Sequence, residues 1–557
     1  MTGSAGDRSV DVVVAGSGAA AMAAAATALA SGAQVAVLEK AEQLGGTTAK
    51  SGGSTWVPNN SFLLARGLED PRPDALRFMA RQSFPALYDP DAPNLGLPEL
   101  AYRLIGTFFD HAGPAIDALA DMGALQCMME PRFGEMVDGV DWAKPDYHAE
   151  FADNRVPNGR ILMPDFDLET AQLGGAVMIE QMRQFVAREG GTMQTATRVV
   201  GLLTEDGAVR GVEVESGGKR SAIHARQGVI FGTGGFTHDP FKLLAHLRGP
   251  IFGGCAVPTN TGDFLDLASE LGAELGNLSN GYYSQNVLER TIAQGGVLGH
   301  DEDVFIPFGD SMLIVNKYGD RVGCEKTPYH ERTQSHFVYD HVRCEYPNLI
   351  QFMVWDDAVA SYDREHFLRY PVPEPGATSP WVIEGNTWEE LAAKIQQRLL
   401  GLEGARGLTA AIGPSARLAP DFTAHLRGAV QRFNRFAETG HDLDFGRGDA
   451  PIHLAWGSAP RDDGRANPTM RPFASSGPYY CCLLGAGTLD TCGGPVIDER
   501  SRILRRGGQP IDGLYGAGNC VAAPTGQAYW GAGSTLGPGL TFGHLAAKDA
   551  VQRSPRT

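Results

Sequence analysis

An α/β fold organised on a parallel sheet is predicted by three observations. Residues 10–38 read strand, glycine turn, helix, strand. Short apolar runs ending in glycine-rich turns return at residues 228–235 and 513–518. Between them, residues 287–485 differ in composition, with more aromatics, His and Pro. The outer parts, 1–286 and 486–557, therefore read as two pieces of one domain. The middle reads as an inserted domain of α+β character.

The elements follow in order. Val10 to Ala15 is apolar throughout, as suits a parallel strand buried on both faces. Gly16-Ser17-Gly18-Ala19-Ala20-Ala21 comes next, then an Ala-rich helix to about Ser31, stopped by Gly32. Residues 34–38 form the second strand, closed by Glu39, and residues 44–53 read as a Gly/Thr/Ser loop. Helices are expected at 75–82, 169–189 and 98–122, the last broken at Gly113-Pro114 because proline lacks the N–H. Residues 197–215 alternate around Glu205-Asp206-Gly207, a hairpin signal, with Val199 on its first arm as an expected cofactor contact. Gly228 to Phe231 is a further buried strand. In the middle block, 371–380 is a Pro-rich surface loop, and 388–402 and 416–439 are amphipathic helices. A strand at 513–515 and a helix from Thr535 to Val551 follow, and there are no internal repeats.

Composition excludes several classes. In 557 residues, 43% are hydrophobic and 20% charged, an ordinary globular balance. There are 71 glycines but only 34 prolines and no G-X-Y period, so the excess marks tight turns and close backbone approaches. A net charge of −18 repels phosphate backbones, which argues against nucleic acid as a partner. Eight cysteines without a CxxC pair support neither a disulfide scaffold nor a zinc or iron–sulfur site. The adjacent Cys481 and Cys482 read as buried thiols. The apolar stretch 10–38 begins with Asp11 and is broken by glycines, so no transmembrane segment is expected. The expected location is cytoplasmic, with peripheral membrane contact compatible.

Gly16-x-Gly18-x-x-Ala21 is weak alone and strong in context. It follows a strand, opens a helix, and is followed by the acid Glu39 at the end of the next strand. The first Gly permits the tight turn, the second the approach of a pyrophosphate, and the small third residue close helix packing. The helix N-terminus, with Ala19 and Ala20, offers N–H groups to phosphate, and Glu39, with Lys40 beside it, faces a ribose diol. Gly45-Gly46-Thr47-Thr48 and Ser51-Gly52-Gly53 then suit a second stretch of an extended cofactor. Returns at Gly232-Thr233-Gly234-Gly235 and Gly516 to Asn519 favour FAD over a nicotinamide.

With these motifs in this order, the chain resembles the flavoprotein superfamily of fumarate reductases and succinate dehydrogenases. Within it, the chain resembles the 3-ketosteroid Δ1-dehydrogenases. The resemblance rests on residues 49–60, on 489–494, and above all on Gln527-Ala528-Tyr529-Trp530-Gly531-Ala532-Gly533-Ser534-Thr535-Leu536-Gly537-Pro538. It implies a Rossmann-like FAD-binding domain split in sequence, with an inserted substrate-capping domain. It also implies Ser534, Thr535 and Leu536 as cofactor contacts. Succinate dehydrogenases tether their flavin to a His in the loop that here holds Thr47, Thr48 and Ala49, so the FAD is expected to be non-covalent.

The resemblance further implies 1,2-dehydrogenation of a 3-oxosteroid or sterol, with electrons passed to an external acceptor such as a quinone. Tyr529 and the Gly533 N–H would hold the carbon-3 oxygen as an enolate forms. Tyr329 would take the carbon-2 proton, assisted by Tyr147 through a hydroxyl–hydroxyl hydrogen bond, while the carbon-1 hydride goes to flavin. The alternatives are a Δ4-(5α)-dehydrogenase or a fumarate-reductase-like ene reductase. Trp530 and Ala532 stand where prolines are expected, which would set an aromatic near the substrate mouth.

Overall fold

The computed structural model describes residues 8–131, 143–167, 172–294, 305–361, 369–402, 417–456 and 464–554. The chain forms two compact units. The first gathers 1–239, 256–282 and 490–557; the second gathers 240–255 and 283–489. The second unit thus takes in an early excursion at 240–255, which the sequence reading left with the first domain.

The first unit is built on β1 (Arg8–Ala15), α1 (Ala19–Ala30) and β2 (Val35–Leu38). Its sheet places Arg502–Leu504, Pro510–Gly516, Lys219–Phe231, β1, β2 and Thr192–Gln194 side by side. Every neighbouring pair is parallel except the first. Val12, Val13 and Val14 are fully buried, as a strand covered on both faces requires. The hairpin pairs Thr197–Glu205 with Ala208–Ser216, and Val199 is buried opposite Val214.

Three helical expectations change. Glu99–Asp121 runs unbroken through Pro114. Gly113 explains this: the clash that bars helix before proline involves the preceding Cβ, and Gly113 has none. A Cβ there would also meet the Asn59 carbonyl oxygen at 2.8 Å, so the backbone packs closely at this point. The helix expected at 169–189 is Gly174–Arg188, with residues 168–171 outside the described residues. The helix expected from 416 is Phe422–Thr439, and residue 416 is likewise outside them.

In the second unit, Met312–Val315, Gln351–Asp356 and Tyr479–Thr491 pair antiparallel. Side chains alternate between two cores. Leu313, Phe352, Val354, Cys481 and Leu483 share one with the helices Trp388–Leu402 and Phe422–Thr439. Met312, Met353, Trp355, Cys482 and Leu484 share the other. Neighbouring Cys481 and Cys482 are therefore buried on opposite faces, and burial pushes both thiols up. Among the described residues no helix is long and apolar enough to cross a membrane.

Candidate active site

Strand register sets the glycine turns next to one another. Ala15 pairs with Leu38 on one side and with Phe231 on the other, and Phe231 pairs with Gly516. Four parallel strands finish level, so Glu39, Gly16, Gly232 and Ala517 leave the sheet side by side. The carboxyl ends of parallel strands are where such sheets bind ligands. The approach is close: Gly16 has φ +97°, and a Cβ on it would meet the Gly232 carbonyl oxygen at 2.4 Å.

Gly18 caps α1 without a side-chain hydrogen bond, and the Ala19 N–H donates to Thr48 Oγ1 at 3.1 Å. Ala20 packs under the helix Leu536–Val551, where a Cβ on Gly543 would meet its carbonyl oxygen at 2.3 Å. The Glu39 carboxylate is buried. It accepts from the Ser17 hydroxyl at 2.6 Å and the Ala41 N–H at 2.8 Å. Lys40 turns away to Thr261 (2.8 Å) and Asp263 (3.1 Å).

The loop after β2 holds a helical turn, Gly46–Ala49, where the sequence suggested none. Thr47 Oγ1 accepts from the Val257 N–H at 3.1 Å. The Ser51 hydroxyl donates to the Thr48 carbonyl at 2.8 Å and accepts from the Gly53 N–H at 3.2 Å. Gly174 and Gly175, which sequence reasoning missed, let the next helix press on this loop. A Cβ on Gly174 would meet the Gly52 oxygen at 2.2 Å, and one on Gly175 the Thr48 oxygen at 1.9 Å. The adjacent Gly-Gly at that helix start was the available signal.

Gly518, Asn519, Thr535, Tyr282 and Pro538 line one small pocket. Thr535 caps the helix Leu536–Val551 without a side-chain bond. The Ser534 hydroxyl exchanges hydrogen bonds with Gly531, accepting from its N–H (3.0 Å) and donating to its carbonyl (2.9 Å). The level glycine turns and the helix start at Gly18, which has no side-chain cap, fit a dinucleotide. Gly16, Gly18, Ala19, Ala20, Glu39, Thr48 and Gly518 are the residues that could hold it. Asp490 was also missed: it accepts from the Gly235 N–H (2.8 Å) and from Asn519 Nδ2 (3.2 Å). It lies within the 489–494 stretch already marked by the sequence.

Two of the four expected reacting residues meet in this unit. Tyr147 and Tyr529 stack with ring centroids 5.7 Å apart at 22°. Tyr282 meets Tyr529 edge-on at 5.5 Å, and its hydroxyl pairs with Thr525 at 2.9 Å. Burial above all holds the Tyr282 hydroxyl well above the usual phenol range, so it stays neutral. Gly533 has φ +90°, and a Cβ would strike the Ser54 carbonyl oxygen at 2.2 Å. Its carbonyl accepts from the Trp56 N–H (3.2 Å) and the Leu536 N–H (3.0 Å).

A buried ion triad braces this cluster. Arg160 donates to both oxygens of Asp70 (2.6 and 2.7 Å) and to Asp146 Oδ2 (2.7 Å). Trp56 Nε1 donates to Asp146 Oδ1 at 2.9 Å. The three charged side chains are 0% exposed. Burial pushes Asp146 up, opposed by the Arg160 charge. Trp530 corrects an expectation. It lies fully buried against Trp56 and Phe108, donating to the Met79 carbonyl, and so belongs to the core rather than a substrate mouth.

Tyr329 belongs to the second unit. It opens the short helix Tyr329–Thr333 and stacks on Trp456 at 6.1 Å. The preceding turn closes with Asn316 N–H donating to the Asp320 carbonyl at 2.9 Å. Lys326, fully buried, donates to the Pro307 carbonyl at 2.8 Å, and burial and the Arg447 charge push it down to about 7.

Comparison with known proteins agrees with this reading of the turns. The family model described as FAD binding domain matches residues 11–536. A 4-oxocyclohexanecarboxylate 2-dehydrogenase of Sinomonas cyclohexanicum is 30% identical over 97% of this chain and 92% of its own. A 3-oxosteroid 1-dehydrogenase of Mycobacterium tuberculosis is 30% identical over 96% of this chain and 97% of its own. The solved 3-ketosteroid Δ1-dehydrogenase of Sterolibacterium denitrificans shares the fold at a TM-score of 0.78 and 24% identity, covering 98% of this chain and 100% of that one. Matched from the first glycine turn to the last, the chain belongs to the FAD-binding family of oxidoreductases, in its 3-ketosteroid Δ1-dehydrogenase group.

Proposed function

We propose that the protein desaturates the ring of a 3-oxosteroid between carbons 1 and 2. The observation that carries the proposal is the Tyr529–Gly533 loop, packed against Tyr147 beside the cofactor turns. When bound, FAD supplies the oxidant, accepting the hydrogen lost from carbon 1.

The protein's own part is to make a carbon acid ionise. A proton beside a ketone leaves only if the enolate oxygen is held by preorganised donors, each contributing a few kcal/mol. The Tyr529 hydroxyl and the Gly533 N–H are assigned that task. Glycine is required at 533 because the Ser54 backbone fills the space a Cβ would take. Tyr329 is assigned the carbon-2 proton through its place in the family motif, and Tyr147 is assigned to support the phenolate. A free phenol has a pKa near 10 and is a poor base at neutral pH without such help. A quinone is the proposed electron acceptor, reached from the cytoplasm at a membrane surface.

A second reading is favoured by one observation. A relative named for 4-oxocyclohexanecarboxylate is as similar as those named for oxosteroids. Both substrates carry a ketone on a six-membered ring, so the same residues serve either. Purified protein incubated with androst-4-ene-3,17-dione, a 5α-reduced 3-oxosteroid or 4-oxocyclohexanecarboxylate, each with a dye acceptor, tests this. A new 1,2-double bond in the steroid supports the proposal. A 4,5-double bond, or turnover of the cyclohexane acid alone, replaces it.

A further inference from the structure

One carboxylate joins two glycine turns that are far apart in sequence. Asp490 is 1% exposed near the end of the strand Tyr479–Thr491. Its Oδ2 accepts from the Gly235 N–H (2.8 Å), Asn260 Nδ2 (2.9 Å) and Asn519 Nδ2 (3.2 Å). Its Oδ1 accepts from the Thr237 hydroxyl (2.9 Å) and the Thr491 N–H (2.9 Å). Gly235 is pressed against it: a Cβ there would lie 2.6 Å from Oδ1. Among the described residues no Lys or Arg pairs with Asp490, so neutral donors alone compensate its charge.

We propose that Asp490 is a positioning residue of the cofactor site, its ionised carboxylate fixing the turn 232–235 against Gly518-Asn519 so that both turns present one surface to FAD. The inference rests on the assignment of those turns to the cofactor. Five donors converge on two oxygens, and an ionised carboxylate is the acceptor-only group of that size. An Asn of the same shape would turn an NH₂ toward N–H groups on one side or the other. Isosteric replacement therefore breaks the clamp as truncation does. Protonation does the same, since it sets an O–H among donors.

Burial pushes the Asp490 carboxyl above the usual range. The titratable groups around it are Tyr282, which Asp490, Cys492 and Tyr529 all influence, and His238, whose backbone N–H donates to the Asn260 carbonyl at 2.9 Å. His238 Nε2 pairs with the Ala256 carbonyl at 2.7 Å, and burial pushes the imidazole down.

The test titrates flavin-stripped protein with FAD, following fluorescence quenching from pH 8 to pH 5. Asp490→Asn and Asp490→Ala are both expected to raise Kd at least about tenfold at pH 8. Asn519→Ala, which removes one donor, is expected to fall between them and the native protein. Native Kd should rise with acid by uptake of one proton, the two Asp490 variants should lack that slope, and His238→Gln should keep it. Native binding without the slope, an Asp490→Asn Kd within twofold of native, or loss of the slope in His238→Gln overturns the role of Asp490 while leaving the FAD assignment intact. Failure of the native protein to bind FAD overturns the assignment itself. If the Asp490 variants do not fold, the native slope, Asn519→Ala and His238→Gln still decide.

Discussion

Tyr147 and Tyr529 lie face to face, 5.7 Å between ring centroids, although 381 positions separate them along the chain. Their neighbours explain the register. Asp146 is gripped by Arg160 and Trp56, and Trp530 is packed on Trp56. Each tyrosine is directly bonded in sequence to a fixed anchor, Asp146 before Tyr147 and Trp530 after Tyr529, so the stack is set by the core beneath it.

Replacing Tyr529 by Phe removes one oxygen from this stack. Turnover should fall by about two to three orders of magnitude, the usual cost of losing one oxyanion donor. Flavin content, read from the visible spectrum, should be unchanged. Unaltered turnover would remove Tyr529 from the chemistry.

Gly533→Ala meets two obstacles at once: a positive φ and the Ser54 carbonyl oxygen 2.2 Å from the new methyl. Strain of this kind costs about 1–3 kcal/mol before the clash is counted. Urea denaturation should show a lower midpoint with an unchanged slope.

Arg160→Leu leaves Asp70 and Asp146 buried without their cation. Breaking a buried pair on one side costs about 3–5 kcal/mol. The triple change Asp70→Asn, Asp146→Asn, Arg160→Leu should recover part of that loss in thermal melts. If the single change proves harmless, the triad does not brace the loop.

Lys326 gives a pH signature. Its folded pKa is about 7 against an ordinary 10.5, so between those values the unfolded chain binds the extra proton. Stability should therefore rise as pH climbs from 7 to 10.5 and lose that contribution on the way down. Lys326→Met should be more stable than the native protein at pH 7 and converge toward it at pH 10. Parallel stability curves for the two proteins would show that the amine is not held neutral.

Much of the first unit could be read from sequence, because its turns obey local rules. Gly16, Gly18 and Glu39 are placed by the strand–turn–helix pattern, and β1, α1 and β2 follow it. What local pattern lacks is partners. Nothing near Gly174 in sequence announces the Ser51–Gly53 backbone it packs on, and Asp490 looks like any strand-end acid until its donors are known. Pro114 shows the opposite error: a strong local breaker was overruled because the preceding glycine removed the obstacle. Trp530 was misplaced for the same reason as Asp490, since its surroundings come from residues 56 to 108.

The level finish of the four strands carries a consequence for biogenesis. The strand Pro510–Gly516 supplies the last of the turns, and the helix Leu536–Val551 lies against α1. A nascent chain lacks these pieces until residues 510–551 have left the ribosome, so it can acquire its yellow colour only afterwards. Cofactor capture thus waits on the strand and helix of residues 510–551, and fragments stalled before them should stay colourless however much flavin surrounds them.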